Sequence, residues 1–137
     1  MKTKQPVLLA EDDDVDSEAV QRAFKDLKIT NPLVITRNGE EALAHLRSPG
    51  TARPCLVLLD LKMPKMDGLE FLAEVKKDKT LRRIPVVVFT TSTYEQDKIK
   101  SFDLSVAGYM VKPTDHRKFS EVLHAVDLYW TASELSE

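Results

Sequence analysis

Three kinds of side chain in this sequence could do chemistry together: the acidic pair Glu11-Asp12, the lone Asp60, and Thr90 with Lys112. Each stands at the end of a short apolar run: PVLLA before Glu11, LVLL before Asp60, IPVVVF before Thr90 and YMV before Lys112. Three carboxylates brought to one place repel, and they persist as a group only when a cation or protonation relieves them. Hard oxygen ligands with open positions suit Mg2+, which keeps several waters and takes one or two carboxylates plus phosphate oxygens. An ammonium and a hydroxyl beside such a cation make a site for charge on a phosphoryl group. Asp60 then reads as a nucleophile that forms an aspartyl phosphate.

The elements that must position these groups follow from the periodicity. PVLLA (6–10) reads as a first strand, and Val15, Ala19, Val20, Ala23, Phe24 and Leu27 recur at helical spacing behind a cap at Asp13 or Asp14. Leu33-Val34-Ile35 is a second strand, Asn38-Gly39 a turn, and Ala42, Leu43 and Leu46 a short helix stripe. After the loop from Ser48 to Pro54, the unbroken run Leu56 to Leu59 reads as a strand buried on both faces. Leu69, Leu72 and Val75 mark a third helix beyond Asp67-Gly68, followed by the charged stretch Lys76 to Lys79. Ile84 to Phe89 is a fourth strand, a helix is expected around Tyr94 to Phe102, and Tyr109 to Val111 is a fifth strand. Phe119, Val122, Leu123, Val126 and Trp130 define a last helix.

Five strands alternating with five helices predict an α/β fold, a three-layer α/β/α sandwich on one parallel sheet. Right-handed crossovers make the flavodoxin-like order 2-1-3-4-5 the expected topology, with its crevice between the first and third strands at their carboxyl ends. All the polar groups named above then converge on one rim. The 137 residues are one ordinary domain, and 42% hydrophobic with 31% charged residues is a globular composition rather than a disordered one. A net charge of −2 without a basic block argues against nucleic-acid binding. Cys55 is the only cysteine, so no disulfide or zinc spacing exists, and before a buried strand it reads as an inert small hydrophobe. His45, His116 and His124 fall on separate elements without ligand spacing. No signal peptide or membrane span is visible, and a cytoplasmic location is expected.

Taken singly, each of these groups has a plainer reading. An acidic run such as Glu11 to Asp14 is usually a solvated turn and a helix cap. Thr90 ends a strand rich in β-branched residues, Tyr109 alone is half-buried packing, and Lys112 alone is a surface charge. Their order along the chain, each at the end of the right strand, favours the site.

On these residues the chain resembles the receiver domain of two-component response regulators over nearly its full length. The matching features are Glu11-Asp12, Asp60 in D-L-K-M-P-K-M-D-G, Thr90 after a buried strand, Tyr109, and Lys112-Pro113. The resemblance implies that Asp60 accepts a phosphoryl group from a sensor histidine kinase. It implies Mg2+ held by Asp12, Asp60 and the backbone carbonyl of Lys62, with Glu11 acting directly or through water. It further implies that Thr90 and Lys112 hold the phosphoryl oxygens, that Tyr109 is an aromatic switch paired with Thr90, and that the Lys112-Pro113 bond is cis. Domain bounds of 1–130 for the receiver and 131–137 for a C-terminal tail follow.

Among receivers, the chain looks most like the small stand-alone regulators paired with phytochrome kinases, on Glu11-Asp12, the long loop Ser48 to Pro54, Arg83 to Ser92, and Tyr129-Trp130. Two departures from the general pattern concern phosphate lifetime and output face: Thr91 stands where Ala or Gly is frequent, and Ser105-Val106-Ala107 replaces the common Gly-Ala approach to the fifth strand. Leu128, Tyr129, Trp130 and Leu135 are more apolar surface than a terminal helix needs, which predicts a homodimer through the last helix and tail. With the chain ending at Glu137, no output domain is expected, and the signal is expected to leave by contact with a downstream protein through the last two strands and helices. Two rivals are a flavin or nucleotide-binding enzyme and a docking module with a silent site. The first needs a Gly- or Ser/Thr-rich phosphate cradle after the first strand, where this chain has Glu-Asp-Asp-Asp. The second is opposed by the presence of every site residue type.

Overall fold

The computed structural model describes residues 5–90, 106–111, 121 and 123–125. Within them the chain runs β1 (Val7–Ala10), α1 (Asp14–Asp26), β2 (Leu33–Thr36), α2 (Gly39–Arg47), β3 (Leu56–Asp60), α3 (Gly68–Lys77), a single 3-10 turn (Leu81–Arg83), β4 (Val86–Thr90) and β5 (Gly108–Val111). Residues 121 and 123–125 are helical. The strands pair in parallel in the order β2-β1-β3-β4-β5, the expected flavodoxin-like topology.

Parallel strands are covered on both faces, which is why β1, β3 and β4 are continuous apolar runs rather than alternating ones. Their side chains divide by parity. Leu8, Val57, Leu59, Val86 and Val88 pack with Ala42 and Leu43 of α2 and with Phe71, Leu72 and Val75 of α3. Val7, Leu9, Leu56, Leu58, Val87 and Phe89 pack on the other face with Ala19, Val20, Ala23 and Phe24 of α1 and with Leu123. Leu56, Leu58 and Leu59 lose all contact with solvent, each contributing about 1.5–3 kcal/mol by burial. The central strand is thus fixed from both sides, and Asp60 is the point at which it leaves the core.

Local chemistry fixes the helix starts. Asp13 caps α1, its carboxylate accepting from the N–H groups of Val15 and Asp16 at 2.8 and 3.1 Å. Asp67 and Glu70 form a capping box at the start of α3. Asn38-Gly39, expected as a free turn, is instead the cap and first residue of α2, with the Asn38 side chain accepting from Glu41 N–H at 2.9 Å.

Other boundaries move for identifiable reasons. Pro6 stays outside β1 because it has no N–H for the ladder, and its carbonyl accepts from Cys55 N–H instead. The fourth strand begins at Val86, because Ile84 N–H closes the 3-10 turn onto Leu81. Val15, counted into the apolar stripe of α1, is 62% exposed at the solvent side of the first turn. Phe71, absent from the stripe read for α3, is completely buried. The helix expected around Tyr94 to Phe102 and the residues Phe119, Val122, Val126 and Trp130 lie outside the described residues.

Candidate functional site

Strand register determines what meets at the rim. Ala10 pairs with Leu59, so Glu11 and Asp60 are the next residues of adjacent strands. Asp60 is in turn level with Phe89 of β4, and Phe89 with Met110 of β5. Thr90 and Val111 pair one step further along the rim, and Lys112 is the residue that follows.

Glu11 and Asp60 are buried, at 4% and 7% exposure, and Asp12 is half-buried. One carboxylate oxygen from each of the three lies within 4.8 Å of the others. Two like charges at that separation, shielded from water, repel by the order of 3 kcal/mol. The fold holds the three together against this cost through its backbone. Glu11 N–H donates to the carbonyl of Thr36 at 2.9 Å, and the Thr36 hydroxyl donates to the carbonyl of Leu9 at 2.9 Å. The Glu11 carboxylate accepts from Asp13 N–H at 3.3 Å, and Asp60 accepts from Lys62 N–H at 3.2 Å. A trio of hard oxygen donors with a surplus of negative charge fits a hard divalent cation.

The acidic run therefore divides its labour residue by residue. Glu11 and Asp12 face Asp60, Asp13 caps α1, and Asp14 forms an ion pair with Arg37 at 2.6 Å. The cap reading of that run holds for Asp13, while Glu11 and Asp12 are the members drawn close to Asp60. Arg37 also donates to the backbone carbonyl of Asp12 at 3.2 Å. The hydrogen bond and charge of Asp14, with smaller contributions from the charges of Glu41 and Asp12, raise its guanidinium pKa above the ordinary value.

The loop from β3 to α3 is held by close backbone approach. Gly68 N–H donates to the carbonyl of Leu61 at 2.9 Å. A Cβ at Gly68 would stand 2.6 Å from the carbonyl oxygen of Asp60 and from the Cα of Leu61, so the position needs a glycine for space. The sequence places Asp67-Gly68 in the same motif as Asp60, and the backbone contact between Gly68 and Asp60 is visible only in three dimensions. Lys62 is exposed, and its backbone N–H donates to Asp60 Oδ1 at 3.2 Å.

Tyr109 is half-buried and packs with Val106 against the α2–α3 face of the core. Thr90 is described as a strand residue paired with Val111. Lys112, Pro113 and Thr91 lie outside the described residues, as do Leu128, Tyr129, Trp130 and Leu135. Cys55 is half-buried at the opposite end of the sheet, its thiol 3.7 Å from the carbonyl of Gln5. Among the described residues, no helix is long and apolar enough to cross a membrane.

Known proteins resemble this chain in sequence and in fold. The response regulator receiver domain model matches residues 7–124. Response regulator Rcp1 of Synechocystis sp. is 41% identical over 128 residues, covering 90% of this chain and 87% of the relative. The probable methanogenesis regulatory protein FilR2 of Methanothrix harundinacea is 37% identical over 127 residues, covering 90% and 82%. Among solved structures, the phosphorylated cyanobacterial phytochrome response regulator RcpA superposes with a TM-score of 0.84 at 38% identity, over 94% of this chain and 95% of that one. The Mn2+-bound form of Rcp1 superposes with a TM-score of 0.81 at 41% identity, over 92% and 94%.

Proposed function

The chain belongs to the response regulator receiver domain family of two-component signalling, and from that premise we propose that it is a phosphorylation switch whose acceptor is Asp60. The observation that carries the reading is the carboxylate trio, with one oxygen each from Glu11, Asp12 and Asp60 inside 4.8 Å at the carboxyl end of the sheet. The donor is the phosphohistidine of a sensor histidine kinase, and the resemblance to RcpA and Rcp1 favours one of the phytochrome type.

In the transfer, a carboxylate oxygen of Asp60 forms a bond to phosphorus as the phosphorus–nitrogen bond of the kinase histidine breaks. The bonding pair returns to the ring nitrogen. Asp12, Asp60 and the Lys62 carbonyl would hold Mg2+, with Glu11 acting directly or through water. When bound, the ion neutralises charge on the carboxylates and on the transferring phosphoryl oxygens. Lys112 and Thr90 hold the remaining phosphoryl oxygens, and Tyr109 follows Thr90 as the switch. The phosphate supplies the free-energy difference between two pre-existing states of the domain. The receiver spans 1–130 with a tail of 131–137, works in the cytoplasm, and passes its signal to a downstream protein by contact. It pairs as a homodimer through the last helix and tail.

Incubation with Mg2+ and a small-molecule phosphodonor, followed by intact mass, tests the central step. The wild type gains one phosphoryl group and Asp60→Asn gains none; a wild type that gains no mass would leave the silent docking module instead. Mg2+ also raises the melting temperature by relieving the carboxylate repulsion, and an unchanged transition would remove the metal site. Sedimentation at micromolar concentration, with and without phosphodonor, checks the homodimer, which a chain monomeric in both states would exclude.

A further inference from the structure

The turn Arg37-Asn38-Gly39 between β2 and α2 carries none of the groups assigned to the phosphoryl or the cation, yet it touches both loops that carry them. On one side, the Arg37 guanidinium donates to Asp14 Oδ1 at 2.6 Å and to the backbone carbonyl of Asp12 at 3.2 Å. On the other, Gly39 N–H donates to the carbonyl of Met66, in the loop that follows Asp60, at 2.9 Å. A Cβ at Gly39 would lie 2.6 Å from that same oxygen and 2.7 Å from Met66 Cγ, so nothing larger than hydrogen fits there. Asn38, between the two, is buried at 5% and fixed at both ends of its amide: its oxygen accepts from Glu41 N–H at 2.9 Å, and its Nδ2 donates to the Glu41 carboxylate at 3.1 Å.

We propose that this turn is a positioning clamp for the metal site, with Arg37 holding the Asp12 loop and Gly39 holding the Lys62 loop at one fixed separation. The proposal rests on the metal reading above. The strand ladder alone does not set that separation, because the pairing of β1 with β3 runs only to Ala10 and Leu59. Asp12 and the loop from Leu61 to Asp67 lie beyond it, and three consecutive residues of a neighbouring turn reach both. A forked guanidinium suits the first contact, since it can satisfy a carboxylate and a carbonyl at once, which a lysine ammonium on a flexible stem does poorly.

Electrostatics and positioning predict opposite signs here, which makes the clamp testable. A permanent positive charge beside the trio repels a dication, so by charge alone its removal would tighten metal binding. A clamp loses ligand geometry instead, and outer partners of metal ligands typically contribute about 10- to 100-fold in affinity.

The experiment titrates Mn2+ alone into the full chain and follows the signal of the free aquo ion by electron paramagnetic resonance. Arg37→Ala and Arg37→Gln are expected to weaken binding about tenfold, and Arg37→Lys to restore only part of it although the charge is kept. Melting in EDTA should barely change in these variants, since the Arg37–Asp14 pair is exposed. Gly39→Ala is expected to weaken Mn2+ as well; should it fail to fold, the Arg37 series decides. Arg47→Ala, which removes the comparable surface pair with Glu74 between α2 and α3, should leave Mn2+ affinity unaltered. Arg37→Ala binding Mn2+ as tightly as wild type, or more tightly, overturns the clamp while the metal reading stands. A wild type that binds no Mn2+ removes both.

Discussion

The two ends of the sheet are built from opposite materials. At the amino ends, a proline stands directly before β1, β2 and β4 (Pro6, Pro32 and Pro85) and two residues before the start of β3 (Pro54). Three of these prolines accept a backbone N–H from an adjacent strand, from Val7 to Pro32, Cys55 to Pro6 and Val57 to Pro85. A proline costs no ladder bond at the mouth of a strand, and its fixed φ narrows the unfolded chain. At the carboxyl ends there is no proline in the strands or directly after β1 to β4, and the rim holds two buried carboxylates and a third half-buried. A parallel sheet gathers like ends together, so one rim can serve order while the other carries an electrostatic load. The difference teaches that stability and chemistry are separable in this fold by direction along the strand.

That separation can be broken or sharpened by substitution. The largest effect is expected from Asp60→Asn, which should abolish phosphorylation entirely by mass. In EDTA the same variant should melt above wild type, because one repelling carboxylate is gone. Next comes Leu58→Ala, in the middle of the central strand and fully buried, with an expected loss of about 2–5 kcal/mol in chemical denaturation. It strikes both ends alike. Gly68→Ala should cost about 1–3 kcal/mol from the forced contact with the backbone of Asp60 and Leu61. Unlike Leu58→Ala, it should also slow phosphodonor labelling of the protein that remains folded.

Pro6→Ala should cost about 0.4–1 kcal/mol through the unfolded chain and leave the labelling rate unchanged. A slowed rate would show that the two ends are coupled. The smallest effect concerns Asp78, at the amino end before β4. Its carboxylate accepts from the N–H groups of Leu81 and Thr80, which hold its pKa below the usual value. A depressed carboxylate stabilises above its unfolded pKa and loses that contribution as pH falls through the folded one. The difference in melting temperature between wild type and Asp78→Ala should therefore be present at neutral pH and close below about pH 4.

The fold was legible because its signals are local and redundant. Runs such as Leu56 to Leu59, bounded by turn residues, can be read without knowing what lies beside them. The carboxylate trio was legible for the related reason that Glu11, Asp12 and Asp60 stand at or just beyond the ends of adjacent strands, where topology alone brings them together. What was not legible depends on contacts between segments distant in sequence. Arg37 carries no local mark that ties it to Asp12 and Asp14, and Asn38-Gly39 looks the same in sequence whether it is a loose turn or a helix cap pressed on Met66. Val15 fits the periodicity of α1 yet is 62% exposed, because periodicity says which residues share a face and not how far along the helix that face stays covered. Phe71 escaped the pattern because Leu69, Leu72 and Val75 formed a sufficient stripe without it, although among the described residues it is the largest side chain with no exposure.

The close approach at Gly68 has a mechanical meaning. With no side chain between the start of α3 and the peptide of Asp60, backbone rests directly on backbone there. A push on α3 would reach the aspartate with no soft contact in between to absorb it.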